Sequence, residues 1–226
     1  RFGFFQAYCG DTYDQSALLD DLGSTWQFGD CFVKPYPTNV FTHTGIDAAL
    51  ALRADGIRAE DIASVQIGVP SQVLRTIAQP RESKISPESG YHAQFSGPFT
   101  FALAMLGGSG LGVYLDDFTN ERVSDPRARD LAQRVTHVAD PTCQALYPLQ
   151  FGSVVDVVLT SGERRHVEVL ANRGTSRRPL SAEEIATKFR LNCRLLGSAA
   201  AELEERLSRL TELEDCSTLL DDINPA

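Results

Sequence analysis

Two closely spaced prolines just before a predicted helix constrain this chain more than any other local feature. Pro35 and Pro37 fix their own φ angles and push the preceding residues towards extended conformations, so residues 34–37 are predicted to run straight. From Thr42 or Thr44 the apolar pattern becomes helical, and a threonine is a suitable N-cap. The sequence therefore predicts a straight segment that leads into a helix, and we expect the rest of the fold to be organised around it.

The start of this predicted helix is a candidate position for an anion. The first N–H groups of a helix lack partners within the helix and lie at the positive end of its dipole. Lys34 and His43 lie close by in the sequence, together with several hydroxyl groups, so a carboxylate is a suitable ligand. Two simpler interpretations stay open, in which Lys34 is a solvated surface lysine and His43 only caps or packs the helix.

Periodicity and capping signals predict both strands and helices in the rest of the chain. Strands are predicted at residues 64–70 and 135–139, and Ser161-Gly162 predicts a hairpin between residues 154–159 and 166–170. The predicted helices are a buried one at residues 95–106, one from Asp125-Pro126 to Arg134, and one that begins at a capping box of Ser181 and Glu184.

Other stretches give weaker patterns. A short helix is predicted at residues 16–22, an extended segment at residues 26–33, and a long loop or a short helix flanked by loop at residues 71–92. Alternation in the hairpin puts His166 on its polar face, where a structural role is expected. An apolar stripe at helical spacing is formed near the C-terminus by Leu203, Leu207, Leu210 and Leu213.

Charge and cysteine content exclude several classes of protein. The formal net charge of −9 argues against nucleic acid or an anionic membrane as a partner, although a local basic pocket can still bind a small anion. No apolar run is long enough to span a bilayer, no signal peptide is evident, and no metal-ligand spacing occurs. Five scattered cysteines favour reduced thiols and a cytoplasmic protein over a disulfide framework: Cys9, Cys31, Cys143, Cys193 and Cys216.

Four stretches, in a fixed order along the chain, together form a recognisable pattern. The first is Lys34-Pro-Tyr-Pro, followed by Thr42-His43 and by Asp47-Ala-Ala in the predicted helix, and the later ones are residues 93–99, 160–163 and 179–189. This ordered set resembles the MmgE/PrpD superfamily of 2-methylcitrate dehydratases, cis-aconitate decarboxylases and iminodisuccinate epimerases. The resemblance therefore runs along nearly the whole chain.

The resemblance implies an α+β fold in three parts. Residues 1–30 would be the end of a helical domain and a linker, residues 31–175 an α+β lid domain, and residues 176–226 helices that return to the all-α domain. The chain begins with Arg1 and an apolar run, so we expect a piece of a longer protein. Its missing N-terminal helical half would be in the same or a separate chain, and the family resemblance further implies a homodimer.

The resemblance also implies a function. We expect a lyase-type enzyme that acts on a small di- or tricarboxylate by proton transfer next to a carboxylate, with 2-methylcitrate dehydratase-like activity as the first expectation. Epimerase and decarboxylase are the alternatives within the family. A non-catalytic lid subunit that completes a partner chain is the alternative from another class. Neither a metal nor an organic cofactor is expected.

The family resemblance assigns roles to six residues. Lys34 would bind a substrate carboxylate, and His43 would be catalytic by assisting binding or proton transfer. Asn39 departs from the family pattern, because some relatives carry histidine or cysteine near this point in the loop. For Ser96 a role as the N-cap of the buried helix is the simpler interpretation. The full set of expected substrate-binding residues is Lys34, Tyr36, Asn39, Thr42 and Ser96.

Overall fold

The computed structural model describes residues 3–10, 12–14 and 16–220. The chain divides into two compact units, Arg1–Cys31 and Phe32–Ala226. The first unit contains helix α1 (Phe4–Cys9) and two 3₁₀ turns, Ser16–Leu18 and Gln27–Asp30. The predictions for this unit were therefore partly wrong, because a single 3₁₀ turn replaces the expected helix at residues 16–22 and another interrupts the expected extended segment. The last six residues of the predicted C-terminal part, 221–226, lie outside the described residues.

The second unit contains one sheet and the remaining helices. The sheet order is β2-β1-β3-β4, in which β1 pairs parallel with β2, and the other neighbours are antiparallel. This mixture of helices with a mainly antiparallel sheet confirms an α+β fold. The strands are β1 (Ile62–Val69), β2 (Val135–Ala139), β3 (Ser153–Leu159) and β4 (Arg164–Val169). The helices are α2 (His43–Ala54), α3 (Leu74–Ile77), α4 (Arg81–Ile85), α5 (Gly90–Ala93), α6 (Gly97–Met105), α7 (Asn120–Val123), α8 (Pro126–Gln133), α9 (Pro141–Leu146), α10 (Ala182–Asn192) and α11 (Ala199–Ser208).

Two buried helices form the centre of the core. Every residue of α6 is buried, as its uniformly apolar sequence predicts, and Ser96 caps it by accepting a hydrogen bond from the Phe99 N–H at 3.0 Å. Helix α2 packs against α6 and against strands β3 and β4. The Thr44 hydroxyl lies 2.9 Å from the Phe151 carbonyl oxygen and 2.7 Å from the Ser153 hydroxyl, so the first turn of α2 is attached to the start of β3.

Most of the sequence-based element boundaries in the second unit are confirmed. Strand β2, helix α8 with its Asp125 N-cap, and the hairpin around Gly162 occur where they were predicted. The capping box of Ser181 and Glu184 begins α10. Residues 71–92, predicted as a loop or a short helix, contain three short helices instead.

Two predictions in the second unit were wrong. Residues 35–38 bend instead of running straight, because the side chain of Tyr36 turns into the core and prolines cannot donate to a sheet that would hold the segment extended. The C-terminal leucine stripe is not one helix face. Helix α11 ends at Ser208, a 3₁₀ turn follows at Leu210–Glu212, and Leu203 alone of the four leucines is buried.

We expect replacement of Gly90 to destabilise the protein. A Cβ atom at Gly90 would lie 1.6 Å from the Phe118 carbonyl oxygen, so Gly90→Ala must displace backbone and should lower the free energy of unfolding by about 2 kcal/mol or more. Gly45→Ala in α2 is the matched control, because its nearest neighbour would be Ile67 Cδ1 at 3.8 Å. Alanine is the better helix former, so this variant should gain up to about 1 kcal/mol. Denaturant unfolding measures both, and equal effects would contradict the packing.

We expect His166 to titrate above its ordinary value. Its Nδ1 lies 2.8 Å from Asp156 and its Nε2 3.3 Å from Glu168, and these hydrogen bonds raise the pKa of His166 from 6.5. Protonated His166 therefore stabilises the hairpin fully below about pH 6.5, and that contribution is lost as the pH rises through the folded-state pKa. Histidine NMR titration should show the raised pKa and its decrease in Asp156→Asn. An unchanged pKa in that variant would contradict the prediction.

Candidate functional site

Lys34 lies on the surface of a segment that is attached to the core on both sides. The Val33 N–H donates to the Gly174 carbonyl oxygen at 3.0 Å, and Pro35 and Tyr36 are buried. Gly174 allows this approach because a Cβ there would lie 1.9 Å from the Val33 oxygen. Lys34 itself is exposed and has no hydrogen bond or ion pair within the described ranges. The backbone is thus fixed while the ammonium group remains available.

Tyr36 belongs to a buried polar network. Its hydroxyl donates to the Asp47 carboxylate and accepts a hydrogen bond from the Arg173 guanidinium at 2.9 Å. Burial, followed by the neighbouring Asp47 charge, raises the pKa of Tyr36. The Tyr36 side chain is almost completely buried, so its hydroxyl belongs to the core. The expected contact of Tyr36 with a substrate stays a prediction.

The same network joins three elements around Lys34. Asp47, in α2, is also paired with Arg178, and Arg173 is paired with Glu184 at the start of α10. Burial raises the pKa of Asp47, while the hydrogen bond from Tyr36 and the charge of Arg178 oppose that rise. The network therefore fixes helix α10 relative to α2 and to the segment that carries Lys34.

His43 is completely buried at the start of α2. Its Nε2 lies 3.3 Å from the Thr38 carbonyl oxygen, and a carbonyl can only accept, so Nε2 carries the proton. Nδ1 is then an acceptor, and no donor reaches it from the described residues. Burial lowers the pKa of His43 to about 3, and the charges of Lys34 and Lys188 contribute to the decrease. The imidazole is consequently neutral at neutral pH.

Lys188 is a cation that the sequence analysis did not single out. It lies on α10, and its charge contributes, after desolvation, to the lowered pKa of Lys34 and to that of His43. Its spacing of four residues from Glu184, which puts both side chains on one face of α10, could have drawn attention to Lys188 in the sequence.

The other three expected substrate-binding residues have structural partners. Asn39 Oδ1 accepts from the Phe41 N–H at 3.0 Å, and the Thr42 hydroxyl contacts the Asn39 carbonyl oxygen at 2.9 Å. Ser96 is fully buried, and its hydroxyl donates to the Lys84 carbonyl oxygen while it caps α6. Their contact with a substrate stays a prediction. Of the expected site residues, Lys34 keeps an ammonium group without a partner among the described residues, and its charge contributes to the lowered pKa of His43.

Within residues 3–10, 12–14 and 16–220, no group of three or more His, Cys, Asp or Glu side chains could hold a metal ion. None of the helices in those ranges has both the length and the apolar character needed to cross a membrane.

A family model and two curated relatives both match this chain. The model of the MmgE/PrpD C-terminal domain matches residues 36–213. A cis-aconitate decarboxylase from Mus musculus is 27% identical over 196 residues, which is 84% of this chain and 38% of the mouse protein. A cis-aconitate decarboxylase from Homo sapiens is 24% identical over 222 residues, which is 96% of this chain and 44% of the human protein.

The chain therefore spans less than half the length of the two curated relatives that it matches. The family model covers most of the 226 residues, including the buried Tyr36, the helix start at His43 and the Lys188 face of α10. On this match, the chain belongs to the MmgE/PrpD family and corresponds to its C-terminal domain.

Proposed function

We propose that this chain is the C-terminal part of a lyase that acts on a small di- or tricarboxylate. The observation that carries the proposal is Lys34, an exposed cation on a fixed backbone with no carboxylate partner in the described part of an acidic protein. Proton transfer next to a carboxylate produces a negatively charged intermediate, and a positioned cation stabilises that charge. Lys34 would bind one substrate carboxylate and hold the substrate for the reaction.

His43 would act by hydrogen bonding and not as the main base. An imidazole whose pKa is lowered to about 3 by burial is a weak proton acceptor at neutral pH. Its buried Nδ1 lone pair, which has no donor among the described residues, is suited to accept a hydrogen bond from a bound water. The principal acid and base would then come from the missing N-terminal half, in the same chain or in a partner chain.

The reaction outcome that we favour is decarboxylation, because the two curated relatives are both cis-aconitate decarboxylases. In that reaction a carbon–carbon bond breaks, CO₂ leaves, and a proton adds to the carbon that keeps the electron pair. Dehydration of a substrate such as 2-methylcitrate and epimerisation remain the alternatives. The direct assay is to incubate the complete protein with cis-aconitate or 2-methylcitrate and to identify the product by NMR.

The arrangement of the complete protein is part of this proposal. Residues 31–175 would form the lid over the active site, and residues 176–226 would return to a helical domain, in a homodimer. The alternative is a non-catalytic lid that completes a partner chain. Mass measurement of the native particle decides whether a second, different chain is in the assembly, and the NMR assay on that particle decides whether the assembly is an enzyme.

We expect Lys34→Gln to reduce kcat/KM of the complete protein by about 10- to 100-fold, because a hydrogen bond to a charged partner is lost from the bound substrate. Steady-state kinetics with the best substrate from the NMR assay measures this. Arg75→Gln is the matched control, since it also removes one positive charge from an exposed residue that has no ion pair within the described ranges. Equal rates for Lys34→Gln and the control would remove Lys34 from the mechanism.

We expect His43 to remain neutral from pH 5 to pH 8. Because burial lowers its pKa to about 3, its ring signals should not shift across this interval, whereas those of exposed His166 should. Two-dimensional NMR of imidazole nitrogens measures both residues in one sample. A His43 titration midpoint near 6.5 would contradict the proposed hydrogen-bonding role and would favour proton transfer.

A further inference from the structure

Three consecutive residues in the connection between β4 and α10 are held against the rest of the second unit. This connection, residues 170–181, contains no helix or strand, and residues 176–179 in it are exposed. Asn172 and Gly174 are buried, and the Arg173 guanidinium between them is mostly covered. Polar groups are costly to bury without hydrogen bonds, so the bonds of these three residues show which segment the connection holds.

Two of these bonds enclose Lys34. The Gly174 carbonyl oxygen accepts from the N–H of Val33, the residue before Lys34, at 3.0 Å. Arg173 Nη1 donates to the hydroxyl of Tyr36, two residues after Lys34, at 2.9 Å. A side chain at Gly174 would prevent the first contact, because a Cβ atom there would lie 1.9 Å from the Val33 carbonyl oxygen. The connection therefore contacts the chain on both sides of Lys34.

A third bond holds the far end of the same segment. Asn172 Nδ2 donates to the Val40 carbonyl oxygen at 3.2 Å, and Asn172 Oδ1 accepts from the Phe151 N–H at 3.2 Å. Both ends of this buried amide are bonded to the backbone, so its orientation is fixed. Residues 172, 173 and 174 thus contact residues 40, 36 and 33, in antiparallel order.

The segment that carries Lys34 has few bonds of its own. Its two prolines have no N–H to donate, and the bond from Val33 is the one backbone–backbone hydrogen bond of residues 33–37 within the described chain. Displacement of a positioned group by about 1 Å can lower a reaction rate by about 100-fold. The contacts from the connection between β4 and α10 therefore limit the positions that the Lys34 ammonium group can reach.

Arg173 makes the contact that depends most on side-chain shape. Its Nη1 donates to the Tyr36 hydroxyl and, at 3.3 Å, to the Leu111 carbonyl oxygen, while its Nη2 donates to the Glu184 carboxylate. A planar guanidinium holds these partners at the same time, whereas the compact ammonium group of a lysine cannot reproduce their spacing. Substitution by lysine therefore keeps the charge and removes the bridge.

We propose that Arg173 is a positioning residue for Lys34, and that Asn172 and Gly174 support it by holding the two ends of the same segment. This proposal rests on the proposed function, because it assigns Lys34 the carboxylate contact described above. Arg173 acts through the Tyr36 hydroxyl and through the connection, without touching the ligand. Its loss should therefore affect the reaction only while Lys34 is present.

A double-mutant cycle on the complete protein tests this dependence, with kcat/KM for the best substrate from the NMR assay as the measured quantity. Arg173→Lys should lower kcat/KM by about 10-fold in the otherwise unmodified protein, because Lys34 is displaced. In Lys34→Gln the same change should lower it by less than about 2-fold, because the group that Arg173 positions is gone. Equal losses in the two backgrounds would mean that Arg173 supports the fold or another group, and this would overturn the proposal.

Arg177→Lys is the matched control for this cycle. Arg177 is exposed, lies in the same connection and has no hydrogen bond or ion pair with any described residue. Its substitution should leave kcat/KM unchanged in both backgrounds. A loss equal to that of Arg173→Lys would show that the contacts of Arg173 are not the cause, and the proposal would fail.

Tyr36→Phe gives a second cycle if Arg173→Lys does not fold. This change removes the hydroxyl that Arg173 holds and leaves the ring in the core. Its effect on kcat/KM should also disappear in the Lys34→Gln background. An effect of the same size in both backgrounds would count against the proposal in the same way.

The outcomes also separate this proposal from the proposed function. If Lys34→Gln lowers kcat/KM and Arg173→Lys does not, Arg173 is not a positioning residue, and the proposed function stands. If Lys34→Gln has the same kcat/KM as the unmodified protein, or if no carboxylate substrate is converted, both fail.

Discussion

The site depends on one buried carboxylate, that of Asp47. A charge in a protein interior is costly unless hydrogen bonds and opposite charges compensate for it. The Asp47 carboxylate accepts hydrogen bonds from the Tyr36 hydroxyl and the Arg178 guanidinium. Arg173 extends this network, because it donates to both the Tyr36 hydroxyl and the Glu184 carboxylate. These partners come from three separate stretches of the chain. The hydrogen bonds that compensate the Asp47 charge therefore hold three segments in one arrangement. These are the bend next to Lys34, the first half of α2 and the start of α10.

In the described residues arginine forms ion pairs and lysine does not, and this difference follows from the chemistry of the two side chains. Arginine has a planar, permanently charged guanidinium group that can bind a carboxylate at two points, as Arg194 binds Asp116. Arginine also forms the partly buried ion pairs with Asp47 and Glu184. Lysine has a compact ammonium group on a flexible stem, and desolvation lowers its pKa more readily. The structure keeps Lys34 and Lys188 out of the ion pairs of the described residues, and the charges of both contribute to the lowered pKa of His43.

Local rules predicted much of the fold and less of the site. Ser96 capping an all-apolar helix, Asp125 before a proline, and the Ser181–Glu184 capping box each involve residues within a few positions of one another, so their geometry could be inferred from the sequence. The prediction that residues 34–37 run straight was wrong, because the hydrogen bond between Tyr36 and Asp47 turns the Tyr36 side chain inward. The conformational preferences of the two prolines give no information about that contact. The influence of the Lys188 charge on Lys34 could not be predicted either, since 153 intervening residues separate the two.

The sequence by itself determined the family, the α+β class, the position of the main capped helices and the choice of Lys34 and His43 as candidates, because these rest on short motifs and on periodicity. Only the tertiary structure decided which side chains are available. It directs Tyr36, Thr42 and Ser96 into internal hydrogen bonds, leaves Lys34 exposed and holds His43 neutral by burial. Burial and long-range pairing are properties of the packed chain, and they set the charge and hydrogen-bonding capacity of each group at the site.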